Sequence, residues 1–293
     1  MTQTPPEKRD QRPIYLRPLN LAWALVAGLL LWIYLPHIIS MIKNWWVDPN
    51  YSHGFLVPIV SAGLVWRQRH KLGALAAGPN YWGLAVIGGA LAVLLVGQLG
   101  HEFYLRRLSL IPVLWGLMLL AWGWPVARRL WFAFAYLILM VPLPYMLYDA
   151  VAFPLRLVAA RIATWGVRLF GVPAFVEGNT VHLPNVVLNV VDACSGIRSL
   201  ISLLAVGVIL AYLILPNRWI KAVVVLLVLP VAVFTNALRV TVAGLAAEWI
   251  SKETLDGVMH DFVGWIVFMV GFAILLGITL GLKKLVPEPK DHP

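Results

Sequence analysis

Eight long stretches of this 293-residue chain contain no charged residue. Each is at least 17 residues long, and they cover 18–42, 49–66, 72–101, 108–127, 130–148, 199–217, 222–238 and 262–282. A helix that crosses the hydrocarbon core of a bilayer needs about 20 predominantly apolar residues, with a range of about 17–25. The stretches therefore predict an all-α membrane protein, a bundle of about eight transmembrane helices.

The overall composition agrees with a membrane protein and excludes a water-soluble enzyme. Apolar residues make up 61% of the chain and charged residues only 12%, whereas a soluble domain carries about 25% charged residues. The excess of 23 Lys and Arg over 13 Asp and Glu indicates topology-setting loop charge and not a nucleic-acid partner. A single cysteine excludes an internal disulfide and a cysteine metal cluster.

Basic residues in the loops predict the orientation. With the N-terminus in the cytoplasm and eight crossings, fourteen Lys and Arg lie inside and nine outside, which favours an N-in, C-in topology. Residues 1–17 and 286–293 are then cytoplasmic tails, and 18–285 form the transmembrane domain. Polar residues at the start of 49–66 lower its hydrophobicity, so a re-entrant segment is an alternative to a span there.

One long insertion, 149–193, is predicted not to span the membrane. Residues 150–170 have the pattern of an amphipathic interfacial helix, with Phe153, Leu157 and Trp165 on one side and arginines on the other. The pieces 174–183 and 186–191 are rich in Val, Phe, Asn and Thr and are separated by turn residues, which predicts a short β-hairpin on the outer surface.

Arg239 interrupts a run that is otherwise uncharged from Ala222 to Ala247. An arginine at the centre of a spanning helix costs about 2.5–3.5 kcal/mol on insertion scales, so its presence indicates a function. Asn236 lies three residues earlier on the same predicted helical face. On the eight-span topology Arg239 lies at the outer end of the seventh span, where snorkelling to the lipid headgroups is the alternative.

Cys194 directly precedes the sixth stretch, close to Asp192, Ser195 and Arg198. A cysteine is a nucleophile only as the thiolate, and its pKa of about 8.5 falls near cations or a helix N-terminus. Arg198 is such a cation, and the helix predicted to follow Cys194 provides the helix N-terminus. A lone cysteine that is merely a small hydrophobic residue is the alternative.

His260 precedes the last stretch, next to Asp261, also on the predicted outer side. With a pKa of about 6.5, a histidine can accept a thiol proton and return it to a leaving amine. An ordinary interfacial histidine is the alternative, and His53, His101 and His182 are competing bases. The sequence has no HExxH or GxSxG motif, which argues against a metalloprotease and a serine nucleophile elbow.

A thiolate, a base and a fixed cation are the groups that acyl transfer requires. Cys194, Arg239 and His260 come from three separate stretches, yet the topology places all three at one membrane face. The sequence therefore predicts that they share one site.

Five features of the chain recur together in a known family. They are Ala-Cys-Ser-Gly-Ile-Arg-Ser at 193–199, Asn-Ala-Leu-Arg-Val at 236–240, His260 ahead of the last span, the motif at 48–58 and Val-Pro-Leu-Pro at 141–144. The chain resembles the exosortases, bacterial inner-membrane cysteine enzymes related to archaeosortases. The resemblance covers residues 20–282 approximately.

The resemblance implies a function and roles for particular residues. Exosortases process secreted proteins with a C-terminal Pro-Glu-Pro motif, a spanning helix and a basic tail, and transfer them to an unidentified acceptor in genomes that also make exopolysaccharide. Cys194 matches the nucleophile, Arg239 the catalytic arginine and His260 the third catalytic position, with no cofactor or metal. The site would lie on the periplasmic side of the inner membrane.

Further residues are candidates for supporting or substrate-binding roles: Arg198, Asn236, Ser195, Asp192 and His53. Two other function classes stay open. One is a transporter or polymerase for polysaccharide precursors, in which the arginines bind phosphate and Cys194 is inert. The other is a non-enzymatic assembly scaffold.

Overall fold

The computed structural model describes the backbone of residues 21–190, 196–250 and 257–285, and the side chains of 25–190, 198–250 and 262–285. The α-helices are α1 (Leu21–Val47), α2 (Leu56–Leu75), α3 (Trp82–Leu99), α4 (Phe103–Leu108), α5 (Leu110–Trp122), α6 (Trp124–Tyr136), α7 (Tyr145–Leu169), α8 (Gly196–Ile214), α9 (Arg218–Trp249) and α10 (Gly257–Leu285). Pro49–Phe55 and Leu137–Met140 are 3-10 helices, and the strands are β1 (Phe175–Glu177), β2 (Thr180–His182) and β3 (Val187–Asn189). The predicted tails, 1–17 and 286–293, lie outside these ranges and stay predictions.

Six helices in the described ranges are long and apolar enough to cross a membrane. They are Leu25–Val47, Trp82–Leu99, Phe103–Trp122, Tyr145–Leu169, Arg218–Trp249 and Phe262–Leu285. These helices confirm the prediction of an all-α membrane protein. The described residues add a small three-stranded sheet to them.

Several predicted spans have different bounds in the structure. The second begins as the 3-10 helix Pro49–Phe55, and α2 then runs on to Leu75 through three basic residues. The fifth, 130–148, is broken at Val141–Pro144, because proline lacks an N–H donor and disfavours a helical residue before it. The sixth, 199–217, corresponds to α8, Gly196–Ile214, which lies three residues earlier in the chain.

Helix α7 differs from the predicted interfacial helix in length and in orientation. It is 25 residues long and is one of the six candidate spans. Its buried face is a stripe of small residues that includes Ala152 and Ala160, while Phe153 and Trp165 are exposed. Arg156 lies on the buried face, four residues from each of those alanines, so this arginine points into the bundle.

The chain divides into two compact units. The first comprises Met1–Asn44 and Phe55–Val141, and the second comprises Trp45–Gly54 and Pro142–Pro293. In the first unit, a core of Leu30, Tyr34, Ala90 and Val113 joins α1, α3 and α5. The candidate site belongs to the second unit.

Helix α9 is the central helix of the second unit and packs against α7, α8 and α10. Glycines lie at each of these three contacts: Gly166 of α7 beside Thr241, Gly207 of α8 beside Val228, and Gly271 of α10 beside Thr235. Small residues let the backbones of membrane helices approach closely. The three glycines therefore allow α7, α8 and α10 to approach α9 closely, which brings the polar side chains of α9 near these helices.

The three strands form an antiparallel sheet in the order β1-β2-β3. Glu177 pairs with Thr180, which leaves Gly178 and Asn179 as a two-residue turn, and Gly178 adopts a positive φ of 60° that glycine tolerates. The predicted piece 174–183 thus folds into two strands, so the sheet has three strands and not the two of a hairpin. Val181 and Leu188 pack into a core with α7 and α9.

Candidate active site

Four polar side chains of α9 are buried in the second unit: Thr235, Asn236, Arg239 and Thr241. The hydroxyl of Thr235 donates to the carbonyl of Val231 at 2.9 Å, and that of Thr241 donates to the carbonyl of Ala237 at 2.8 Å. These bonds satisfy both threonines within their own helix. Asn236 and Arg239, in contrast, present polar groups to neighbouring helices.

The guanidinium of Arg239 packs against α10 at Gly264. A Cβ at position 264 would lie 2.8 Å from Nη2 and 2.9 Å from Cζ of Arg239, so the guanidinium occupies the space of a side chain there. Arg239 is only 6% exposed. Helix α9 continues to Trp249, so Arg239 lies within the helix and not at its end. Burial inside the bundle does not fit the snorkelling alternative.

Position 260 lies on the face of α10 that meets Arg239. It precedes Gly264 by four residues, and residues four apart share a helix face. At a rise of about 1.5 Å per residue, the two positions are about 6 Å apart along the helix axis. The backbone therefore brings position 260 near Arg239, while the side chain of His260 is outside the described residues.

Cys194, Asp192 and Ser195 also lie outside the described residues. Helix α8 runs on from this segment, and Arg198 lies in its first turn. Arg198 is partly buried, and among the described residues its Nε has no hydrogen-bond partner.

A small notch lies between α7, α8 and α9. It is lined by Ala152, Leu155, Arg156, Leu200, Ala232, Val233 and Asn236. Asn236 is 5% exposed, three residues before Arg239 on the same face of α9. The notch therefore lies beside the buried arginine, and Leu200 extends it toward the first turn of α8.

His53 reaches the second unit through the short segment Trp45–Gly54 and is buried. Its ring lies 6.5 Å from that of Tyr51, which in turn lies 6.4 Å from the ring of Tyr148 on α7. Tyr51 packs with Tyr148, Ala152 and Ile201, so the segment that carries His53 lies close to the notch.

The other two candidate bases are placed differently. His182 stands on β2, stacked on Phe175 with ring centroids 4.5 Å apart and with Nε2 3.7 Å from Glu177 Oε2. His101 lies between α3 and α4 of the first unit. In the ranges with described side chains, no three His, Cys, Asp or Glu residues are grouped so as to hold a metal ion.

A sequence model of one family matches most of the chain. The match is to the transmembrane exosortases and extends over residues 45–277. The chain belongs to the transmembrane exosortase family. The search of curated proteins and that of solved structures gave no match.

The exosortase match begins at Trp45, which is the first residue of the segment Trp45–Gly54 in the second unit. The matched range also contains Cys194, Arg239, Gly264 and position 260. The second unit thus holds all the residues that the sequence put forward as the site of this exosortase.

Sequence reasoning missed Arg156 and Gly264. A signal for Arg156 existed, because alanines lie at 152, 159, 160 and 163, and small residues at helical spacing mark a packed face in membrane proteins. For Gly264 there was none, since α10 contains four other glycines, at 257, 271, 277 and 281, and only the contact with Arg239 distinguishes Gly264.

Proposed function

We propose that this membrane-embedded exosortase is a cysteine peptidase or transpeptidase that cleaves C-terminal sorting signals of secreted proteins. Its substrates carry a Pro-Glu-Pro motif, a spanning helix and a basic tail. The cleaved protein passes to water or to an acceptor nucleophile, in cells that sort proteins together with exopolysaccharide. The enzyme works in the inner membrane with N- and C-termini in the cytoplasm and the site on the periplasmic side.

The observation that carries the proposal is the contact between Arg239 and Gly264. A buried guanidinium in a membrane bundle is costly. This one contacts Gly264, which follows position 260 of α10 by about one helical turn. Helix α8, which packs on both α9 and α10, follows directly after Cys194. Arg239 and position 260 thus belong to neighbouring helices of one unit, and Cys194 precedes a third helix of that unit in the sequence.

The chemistry follows from these three groups. The thiolate of Cys194 attacks the scissile carbonyl, and a C–S bond forms while Arg239 stabilises the negative charge on the carbonyl oxygen. The C–N bond then breaks, and His260 gives the proton it took from the thiol to the leaving amine. The thioester is resolved by water or by the acceptor, which regenerates the thiol.

The test is cleavage of a reporter in a heterologous host that lacks a related enzyme. The reporter is a secreted domain with the three-part tail, co-expressed with the full chain or without it, and its intact mass is measured. We expect a loss of mass equal to the spanning helix and the basic tail only when the chain is present. A reporter with Pro-Glu-Pro changed to three alanines is the control and should stay intact. An uncleaved wild-type reporter in membranes that contain the folded chain would overturn the proposal.

Gly264→Ala should lower kcat/KM for the reporter by about 10-fold or more, since misplacing a catalytic group by about 1 Å can cost 10²-fold. The new methyl group would displace the guanidinium of Arg239. Stability should change little, because the end of a flexible side chain can move aside. Reporter cleavage and thermal midpoint are both measured in purified detergent-solubilised enzyme.

Gly277→Ala on the same helix is the matched control, because a Cβ there meets nothing within 4 Å. It should leave kcat/KM unchanged. In an Arg239→Ala background, Gly264→Ala should have no further effect. An equal loss from both glycine substitutions would mean that α10 as a whole, and not its contact with Arg239, determines activity.

A further inference from the structure

In the described part of the chain, the notch between α7, α8 and α9 presents a hydrogen-bond donor and an acceptor that are not used. Among the described residues, Nε of Arg156 and Oδ1 of Asn236 are buried without a hydrogen-bond partner. The remaining lining residues are apolar. A buried polar atom without a partner is costly, so this pair points to a ligand that supplies an acceptor and a donor together.

The charge of the notch is already balanced. Nη1 of Arg156 lies 3.2 Å from Oδ1 of Asp149, so the guanidinium has its counter-ion on the same helix. A carboxylate ligand would compete with Asp149 and would face the amide oxygen of Asn236, which also carries negative charge. The arrangement therefore favours an uncharged dipolar group, one with a carbonyl oxygen and an N–H.

The size of the notch limits what can enter. Its enclosed space is only about 10 Å³, enough for about one water-sized group, and the rest of it is open to its surroundings, whereas sites for small molecules enclose about 300–1,000 Å³. A cofactor or a free sugar precursor does not fit this volume. A peptide group of an extended chain that lies across the open side does, because only its carbonyl oxygen and its N–H need to enter.

We propose that this notch, in the enzyme of the proposed function, binds one peptide group of the substrate beside the cleavage site. Nε of Arg156 donates to the carbonyl oxygen of that group, and Oδ1 of Asn236 accepts from its N–H. Asn236 lies one helical turn before Arg239. The bound peptide group therefore fixes the substrate chain within a few residues of the bond that is cut.

The experiment combines two variants with a series of altered substrates. Asn236→Leu removes the acceptor, and Arg156→Lys removes the Nε donor while keeping a cation for Asp149. Arg161→Lys, at an exposed position of the same helix, is the matched control. The substrates are synthetic tails in detergent in which one peptide bond at a time around the motif is replaced by an ester, which deletes its N–H.

For the normal tail, both variants should raise KM roughly 5- to 100-fold, the range expected when a buried hydrogen-bonding group loses its partner, with little change in kcat. Arg161→Lys should match the wild type. At one ester position the wild type should show the same rise in KM, and Asn236→Leu should show no further rise. Asn236→Leu should also keep or raise the thermal midpoint, which a structural asparagine would not allow.

Two outcomes would overturn this proposal alone, given a wild-type enzyme that cleaves the reporter. In one, no ester position raises KM, which means that a bound water alone satisfies Arg156 and Asn236. In the other, Asn236→Leu lowers kcat and the thermal midpoint together without a rise in KM. A wild-type enzyme that cleaves nothing would instead refute the proposed function.

Discussion

Cys194→Ser should abolish reporter cleavage, with a loss of about 10⁴-fold or more in kcat. A serine hydroxyl is far less acidic than a thiol, so the surroundings that favour a thiolate do not activate it. Cleavage is followed by intact mass. Because the chain has one cysteine, a maleimide label reports on Cys194 alone, and substrate should slow its labelling in the wild type.

The thioester gives an independent readout of the same step. Brief incubation with the reporter should yield an enzyme species heavier by the cleaved domain, and hydroxylamine should release it. Cys194→Ala should form no such species yet still bind the intact reporter. If the serine variant kept a tenth or more of the wild-type rate, the thiol would not be the nucleophile, and a transporter or scaffold that tolerates loss of Cys194 would be favoured.

Arg239→Ala should lower kcat by about 10²–10³-fold, the range for loss of one oxyanion-stabilising donor. Its guanidinium is held inside the bundle by its contact with Gly264, so it needs little reorganisation when charge develops on the substrate oxygen. Arg239→Lys keeps the charge but lacks the planar fork, and it should recover only part of the rate. Rates and KM are measured with the reporter tail in detergent.

Arg218→Lys is the matched control for this series. Arg218 begins the same helix, is exposed and lies over the ring of Trp219 at 5.6 Å, so its replacement should leave kcat unchanged. Full activity of Arg239→Lys would show that charge alone matters. An Arg239→Ala enzyme with normal kcat but a lower thermal midpoint would make Arg239 a structural residue.

Helix α9 shows how far a sequence can indicate a site. Asn236 and Arg239 were predicted to share a face because they are three residues apart, and both are buried in the structure. The end of the helix was not predictable from charge, because a single buried arginine looks the same in the sequence as one at a membrane surface. In the structure the helix continues through the ten residues from Val240 to Trp249, and Arg239 is buried against the neighbouring helices.

Helix α7 shows the opposite case. Its sequence has apolar residues on one side and arginines on others, which in water would mean that the apolar side faces the core. In a bilayer, lipid is as apolar as the core, so large apolar residues face outward and small ones face other helices. Phe153 and Trp165 are accordingly exposed, and Arg156 lies in the stripe of alanines.

The membrane class, the helical fold and the set of candidate residues were determined by the sequence alone, because uncharged stretches of sufficient length can only be buried in lipid as helices. Tertiary structure decided which residues meet: Arg239 with Gly264, Arg156 beside Asn236, and the segment of His53 with the second unit. These contacts join parts of the chain that are far apart in sequence. They depend on how the backbones pack, and in an all-apolar surrounding the periodicity of apolar residues does not mark the inner face of a helix.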